Sequence, residues 1–177
     1  MSERALVILY GAPGVGKSSA ARLVARRIPG PSACVHHDDL MHRWIVTHSN
    51  DASQEWQLVY TQAKLLTSSY LKAGYSVVVE GAFAEWNGRE AVSREDEIDQ
   101  LVAAAGSTPV RRLIARLEAP DDVLEWRLLR ADRDRDVPEA LAVSHVYRKT
   151  GEGLVIVDTN QRLVDEVAAE IVGRLPA

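Results

Sequence analysis

One cysteine, Cys34, is all the chain carries. No internal disulfide can form, and a reducing cytoplasm fits that. The thiol lies in an apolar run and reads as a small buried side chain, not a nucleophile. A basic excess is missing as well: 21 lysines and arginines stand against 25 acids, for a net charge of −4. That balance argues against non-specific nucleic-acid binding, though it leaves room for a local basic groove. No hydrophobic run approaches the length of a membrane span, and the apolar part of the opening MSERALVILYG is too short for a signal peptide. Repeats, low-complexity tracts and clear linkers are lacking too, so residues 1–177 read as one domain.

What is present is a regular alternation. ALVILY at Ala5–Tyr10 is a continuous apolar run ending at glycine, the pattern of a buried parallel strand. A helix is expected over Lys17–Arg27, broken by Pro29, Gly30 and Pro31, and a second strand over Ala33–His37. Helices follow over Leu40–His48 and Glu55–Ala73, then a third strand over Tyr75–Glu80 and a helix over Arg94–Ala105. VRRLIARLEAP supplies a fourth strand and Asp121–Ala131 a helix. A charged loop at Asp132–Asp136 leads to a helix over Pro138–Lys149, a fifth strand in GLVIVDT and a closing helix over Arg162–Leu175. Strands alternating with helices predict an α/β sheet covered on both faces.

Between the first strand and the first helix stands GAPGVGKS, Gly11–Ser18, which fits the P-loop (Walker A) pattern G-x-x-x-x-G-K-[ST]. The chemistry explains the residue types. Backbone N–H groups of a tight loop must turn toward phosphate oxygens, so Gly11, Gly14 and Gly16 keep side chains out of the way while Ala12, Pro13 and Val15 complete the cradle. Lys17 can reach the β- and γ-phosphates, Ser18 can ligate Mg²⁺, and Ser19 is the next residue of the helix. A P-loop fixes a nucleotide and not a reaction. No guanine-reading N-K-x-D follows a later strand, which weighs against a switch GTPase, and the chain is short for a ring-forming ATPase.

Three further stretches carry chemistry. VHHDDLMH, at Val35–His42, offers metal ligands, a base or a helix cap. His36 and His37 would point to opposite faces of a strand, and no full ligand set appears, so a histidine metal site is disfavoured. Glu80 ends the third strand, where parallel sheets place ligands; it could hold a Mg²⁺-bound water or orient the attacking group, or it could be an acid facing solvent. Arg127, Arg130, Arg133 and Arg135 suit the charge that phosphoryl transfer spreads over equatorial oxygens, unless Asp132, Asp134 and Asp136 simply pair with them. Arg127 and Arg130, one turn apart, are expected to share a face. Trp86 and Arg89, in the weakly periodic AFAEWNG region, suit an exposed binding loop, while Trp44 and Trp56 have core positions as their alternative.

GAPGVGKS, HHDDLMH, VVVEGAF, LEWRLLRADRDRD and a closing VIVDTN, in that order, resemble the P-loop kinases of the nucleoside-kinase type, and among them the polynucleotide kinase and chloramphenicol phosphotransferase branch. The resemblance implies a three-layer fold with a five-stranded parallel sheet in the order 2-3-1-4-5 and an arginine-rich lid at about 127–142. It implies Mg-ATP as phosphate donor and the hydroxyl of a small molecule as acceptor. It makes Asp38 the general base and leaves Asp39 to support the start of a helix. It places Arg127 and Arg130, with Arg133, near the nucleotide and phosphates, and Thr159 near the adenine base, although Asp158 or Thr159 could instead cap the last helix. Similar kinases carry arginine where Met41 stands, so Arg43 is the candidate replacement on the substrate side. A 5′-hydroxyl polynucleotide kinase, a toxin-type nucleotide-sugar kinase and a nucleotide-dependent regulatory module that transfers nothing are the competing readings.

Overall fold

The structure, a computed structural model, describes residues 4–48, 52–149 and 155–176. In chain order its elements are β1 (Ala5–Tyr10), α1 (Lys17–Arg27), β2 (Ser32–His36), α2 (His37–Asp39), α3 (Ala52–Lys72), β3 (Ser76–Gly81), β4 (Ala84–Trp86), β5 (Ala91–Ser93), α4 (Glu95–Ala104), β6 (Arg111–Glu118), α5 (Asp121–Arg130), α6 (Val137–Arg148), β7 (Val155–Asp158) and α7 (Val164–Gly173). Every residue of β1 and of β3 is buried. A strand buried at each position has both faces covered, as inner strands of a parallel sheet do. Five strands form that sheet, in the order β2-β3-β1-β6-β7, all parallel, with β1 hydrogen-bonded to β3 on one side and β6 on the other. The helices pack in pairs: α1 with α7, α3 with α4, and α5 with α6. No helix among the described residues is long and apolar enough to cross a membrane.

The element limits follow local chemistry. Gly16, at φ 96°, is left-handed, so α1 cannot extend backward past Lys17. Gly74, at φ 92°, ends α3, and Tyr75 N–H closes back onto the Tyr70 carbonyl at 3.0 Å, satisfying a helix-end acceptor.

Three expectations are corrected. The order is 2-3-1-6-7 and not 2-3-1-4-5, because β4 and β5 pair antiparallel in a separate two-stranded hairpin that precedes the last two sheet strands. The helix expected over Leu40–His48 is a single π-helical turn at Leu40–Trp44, after which Ile45 turns extended. Beyond Met41 the residues offer no buried stripe: Trp44 is 69% exposed and Val46 90%. The expected arginine lid is the end of α5, a 3₁₀ turn at Asp134–Asp136 and the start of α6. Of the fifth strand, Gly153 and Leu154 lie outside the described residues.

Candidate active site

Parallel strands bring their C-terminal ends to one edge of the sheet, and the segments leaving β1, β2, β3 and β6 meet there. The loop after β1 has Gly11, Gly14 and Gly16 at φ 145°, 80° and 96°. A Cβ on Gly11 would stand 2.4 Å from the Leu117 carbonyl oxygen, and one on Gly14 would stand 3.0 Å from Leu128 Cγ. At Gly16 a Cβ would enter open space. Ala12 and Val15 turn their side chains into the core, so the loop presents its backbone to a cavity of about 630 Å³. Pro13, Lys17, Ser18 and Ser19 line that cavity. A backbone-lined cradle that side chains would fill is what nucleotide phosphates require. Lys17 Nζ donates to the Ala12 carbonyl at 3.1 Å. Burial pushes its pKa down, opposed by Glu80 and Asp38.

Glu80 does not face solvent; it is 2% exposed. Its Oε1 accepts from Ser18 Oγ at 3.0 Å and lies 2.7 Å from His36 Nδ1. A buried carboxylate needs such partners. Burial pushes the Glu80 carboxyl up, but the His36 hydrogen bond and Lys17 outweigh it and hold the pKa below the ordinary value. Cys34 and Glu80 together hold His36 up to about 10. His36 and Glu80 are therefore an ion pair at neutral pH. Among the described residues no cluster of three or more His, Cys, Asp or Glu could hold a metal by itself. Ser18 and Glu80 still fit Mg²⁺, which favours hard oxygen donors and keeps several waters, with phosphates completing the shell.

The adjacent aspartates separate. Asp38 is exposed and lines the cavity. Asp39 Oδ1 pairs with Arg43 Nε at 3.1 Å, which occupies the cation expected on the substrate side; Arg43 is not among the cavity-lining residues. His37 goes inward, with its ring 4.6 Å from that of Phe83. Tyr147, on α6, directs its hydroxyl at the carbonyls of Ala82 and Phe83, fixing the loop after β3.

The arginines separate as well. Arg127 lines the cavity, donating to Thr159 Oγ1 at 3.0 Å and to the Thr159 carbonyl at 2.7 Å. Arg133 lines it while paired to Asp136 at 2.6 Å. Arg130 is exposed, its guanidinium 5.1 Å over the Trp126 ring centroid, and does not join them. Arg127 and Thr159 also border a second hollow of about 310 Å³ with Gly14, Val15, Gly16 and Arg162. Neither Asp158 nor Thr159 caps α7: Leu163 stands at that N-cap, and its N–H donates to Glu166 Oε2 at 2.9 Å. Asp158 Oδ1 instead accepts from Asn160 N–H at 2.8 Å.

Trp86 and Trp56 line the cavity, joined by Met41 and His42. Trp44 and Arg89 are not among its lining residues. Arg89 sits in the turn of the β4–β5 hairpin, where Asn87 Oδ1 accepts from the Arg89 and Glu90 N–H groups at 3.0 Å each. Sequence reasoning missed this hairpin, though Asn87-Gly88 is a turn signal, with Gly88 at φ 91°. It also missed His36, Met41, His42 and Glu139 as residues of the site.

The family model described as an AAA domain matches residues 6–150. No curated protein matches the chain. Among solved structures, a gluconokinase from Sinorhizobium meliloti 1021 is 19% identical at a TM-score of 0.63, with 98% of this chain and 92% of that one covered. The tunicamycin resistance protein of Deinococcus radiodurans is 20% identical at 0.64, covering 97% and 95%. The APS kinase of Mycobacterium tuberculosis, in complex with AMPPNP and APS, is 19% identical at 0.61, covering 98% of each. At these identities the likeness is one of fold: α/β, with a five-stranded parallel sheet and a P-loop.

Proposed function

The chain belongs to the AAA domain family, and from that premise we propose that it is an ATP-dependent kinase that moves the γ-phosphate to a hydroxyl of a small molecule. In this reading it is similar to the polynucleotide kinase and chloramphenicol phosphotransferase branch of P-loop kinases. One observation carries the reading: the P-loop with Lys17 and the carboxylate of Asp38 open onto the same cavity. A nucleotide-hydrolysing switch needs no second carboxylate facing the phosphate cradle from another strand. A kinase does, because an acceptor hydroxyl must lose its proton as it attacks.

In this reading the loop backbone and Lys17 hold the β- and γ-phosphates. Asp38, exposed and unencumbered by Arg43, takes the proton of the acceptor hydroxyl. Ser18 and, through water, Glu80 would hold Mg²⁺, which supplies positive charge to the phosphate oxygens when bound. His36 holds Glu80 in place from the far side. Arg127, tied to Thr159, spans from the phosphate cavity to the second hollow, which suits the nucleotide base. Arg133 is the further cation facing the transferred group. Arg130 has no part in it.

The test is a screen of ATP consumption over hydroxyl-bearing metabolites, antibiotics and oligonucleotides, with mass spectrometry for the gain of one phosphate. Asp38→Asn should lower kcat by about 10²–10⁴-fold while leaving ATP affinity intact, and Asp39→Asn should change it little. Loss confined to Asp39→Asn would overturn the base assignment. Binding of ATP with no acceptor raising its consumption above slow hydrolysis would overturn the kinase reading in favour of a regulatory module.

A further inference from the structure

We propose that the acceptor is an uncharged, ring-bearing alcohol, because, among the described residues, the wall of the cavity built by the segments after β2 and β3 and by α3 carries two tryptophans and a methionine beside Asp38 and no lysine or arginine. The inference rests on the phosphotransfer reading above and adds the substrate class to it.

The sheet order divides the cavity. Strands β2 and β3 lie on one side of β1, and β6 and β7 on the other. The segments after β2 and β3, with α3, therefore supply one wall of the cavity, and α6 packs against that wall at β4 and β5. On that side stand Asp38, Met41, His42, Trp56, Ala84 and Trp86. The cationic side chains that line the cavity, Lys17, Arg127 and Arg133, all belong to the P-loop or the segment after β6, where the nucleotide phosphates are expected.

Of the basic residues near the acceptor side, Arg89 is exposed in the hairpin turn and does not line the cavity, and three others are paired. Arg43 pairs with Asp39 at 3.1 Å. Lys64 Nζ is held by Glu97 Oε2 at 3.0 Å and Gln100 Oε1 at 2.7 Å. Arg94 lies 5.5 Å over the Tyr60 ring and pairs with Glu85 and Glu97. Recognition of a carboxylate or phosphate needs a free cation, most effectively a forked guanidinium. Across the cavity Glu139 supplies a further carboxyl and no cation; burial raises its pKa, with Asp136 and Asp38 adding to it. An anionic acceptor would lose its hydration and meet Asp38 without a counter-charge. Two tryptophans and a methionine instead match the apolar face of a ring.

The experiment measures phosphate transfer from labelled ATP to a panel of ring-bearing alcohols, each supplied as a neutral compound and as its carboxylated twin. The neutral member should have a kcat/KM about tenfold or more above its twin, the scale of leaving one charged group unpartnered. His42→Arg places a guanidinium at an exposed position on the acceptor side, and should narrow that ratio mainly through the KM of the carboxylated compound. Preference of the wild-type protein for the carboxylated members would overturn the proposal and leave the kinase reading standing. An unchanged ratio in a folded His42→Arg variant would overturn it as well. Silence of the whole panel while ATP binds would overturn the kinase reading, and this inference with it.

Discussion

Acidification should destabilise this protein through His37. The side chain is 1% exposed, and neither ring nitrogen meets a hydrogen-bond partner among the described residues. The rings of Phe83 and Tyr60 enclose it at 4.6 and 5.5 Å. Burial is the main cause that pushes its pKa from 6.5 down to about 4; Lys17 and His36 push the same way and Glu80 opposes. An unfolded chain protonates this imidazole near 6.5, the folded one only near 4. Between those values the unfolded state holds more protons, so stability falls as pH falls. The full loss, reached below pH 4, is about 3 kcal/mol, and about 2 kcal/mol of it is reached by pH 5. His37→Leu has similar volume and cannot titrate. Urea unfolding of both proteins, followed by tryptophan fluorescence at pH 5, 6 and 7.5, isolates the effect, because every other titrating group is common to the two. The variant should gain about 2 kcal/mol on the wild type between pH 7.5 and pH 5. His36 acts with the opposite sign: held up to about 10, it contributes stability below 6.5 that is lost as pH rises through 10. Stability curves that stay parallel across the range would refute the buried, neutral His37.

Three further outcomes follow from contacts near the same edge of the sheet. A Cβ on Gly81 would lie 2.3 Å from His37 Nδ1 and 2.7 Å from Cγ, so Gly81→Ala should cost about 1–3 kcal/mol in urea unfolding. The cost should vanish in a His37→Ala background, where the clashing ring is gone. Arg127→Ala leaves the Thr159 oxygens without their donor, and should weaken ATP binding about tenfold or more in an equilibrium titration. Arg130→Ala, which removes only a contact over Trp126, should leave both ATP affinity and stability within about 0.5 kcal/mol of wild type.

The parts of the fold legible in the sequence are those whose environment is uniform along the chain. ALVILY reads as an inner strand because both faces of β1 are covered, so no alternation interrupts it. Lys17 begins α1 as expected because the glycine before it is obliged to be left-handed. β4 and β5 are three residues each, shorter than any periodicity can register, and their pairing shows only in the Asn-Gly turn between them. Past Met41 the chain carries histidine, arginine and tryptophan, each compatible with a helix by propensity. Trp44 and Val46 are exposed, so among the described residues no tertiary packing there sustains one.

In the site the same division holds, with one more cause. The phosphate cradle is contiguous, and its backbone geometry is written in eight adjacent residues. The arginines are not so placed. Three residues along a helix turn a side chain by about 60° from the first, enough for the cavity edge to fall between Arg127 and Arg130. Trp126 then offers the outer guanidinium a ring to lie on. The Ser18–Glu80–His36 cluster is less legible still, because it joins side chains 62 and 44 positions apart. Only the sheet order explains it. β3 lies between β1 and β2, and its register sets Glu80 opposite His36. A carboxylate at the end of that strand must reach toward the P-loop helix on one side and the neighbouring strand on the other. Glutamate has one more methylene than aspartate with which to reach both at once.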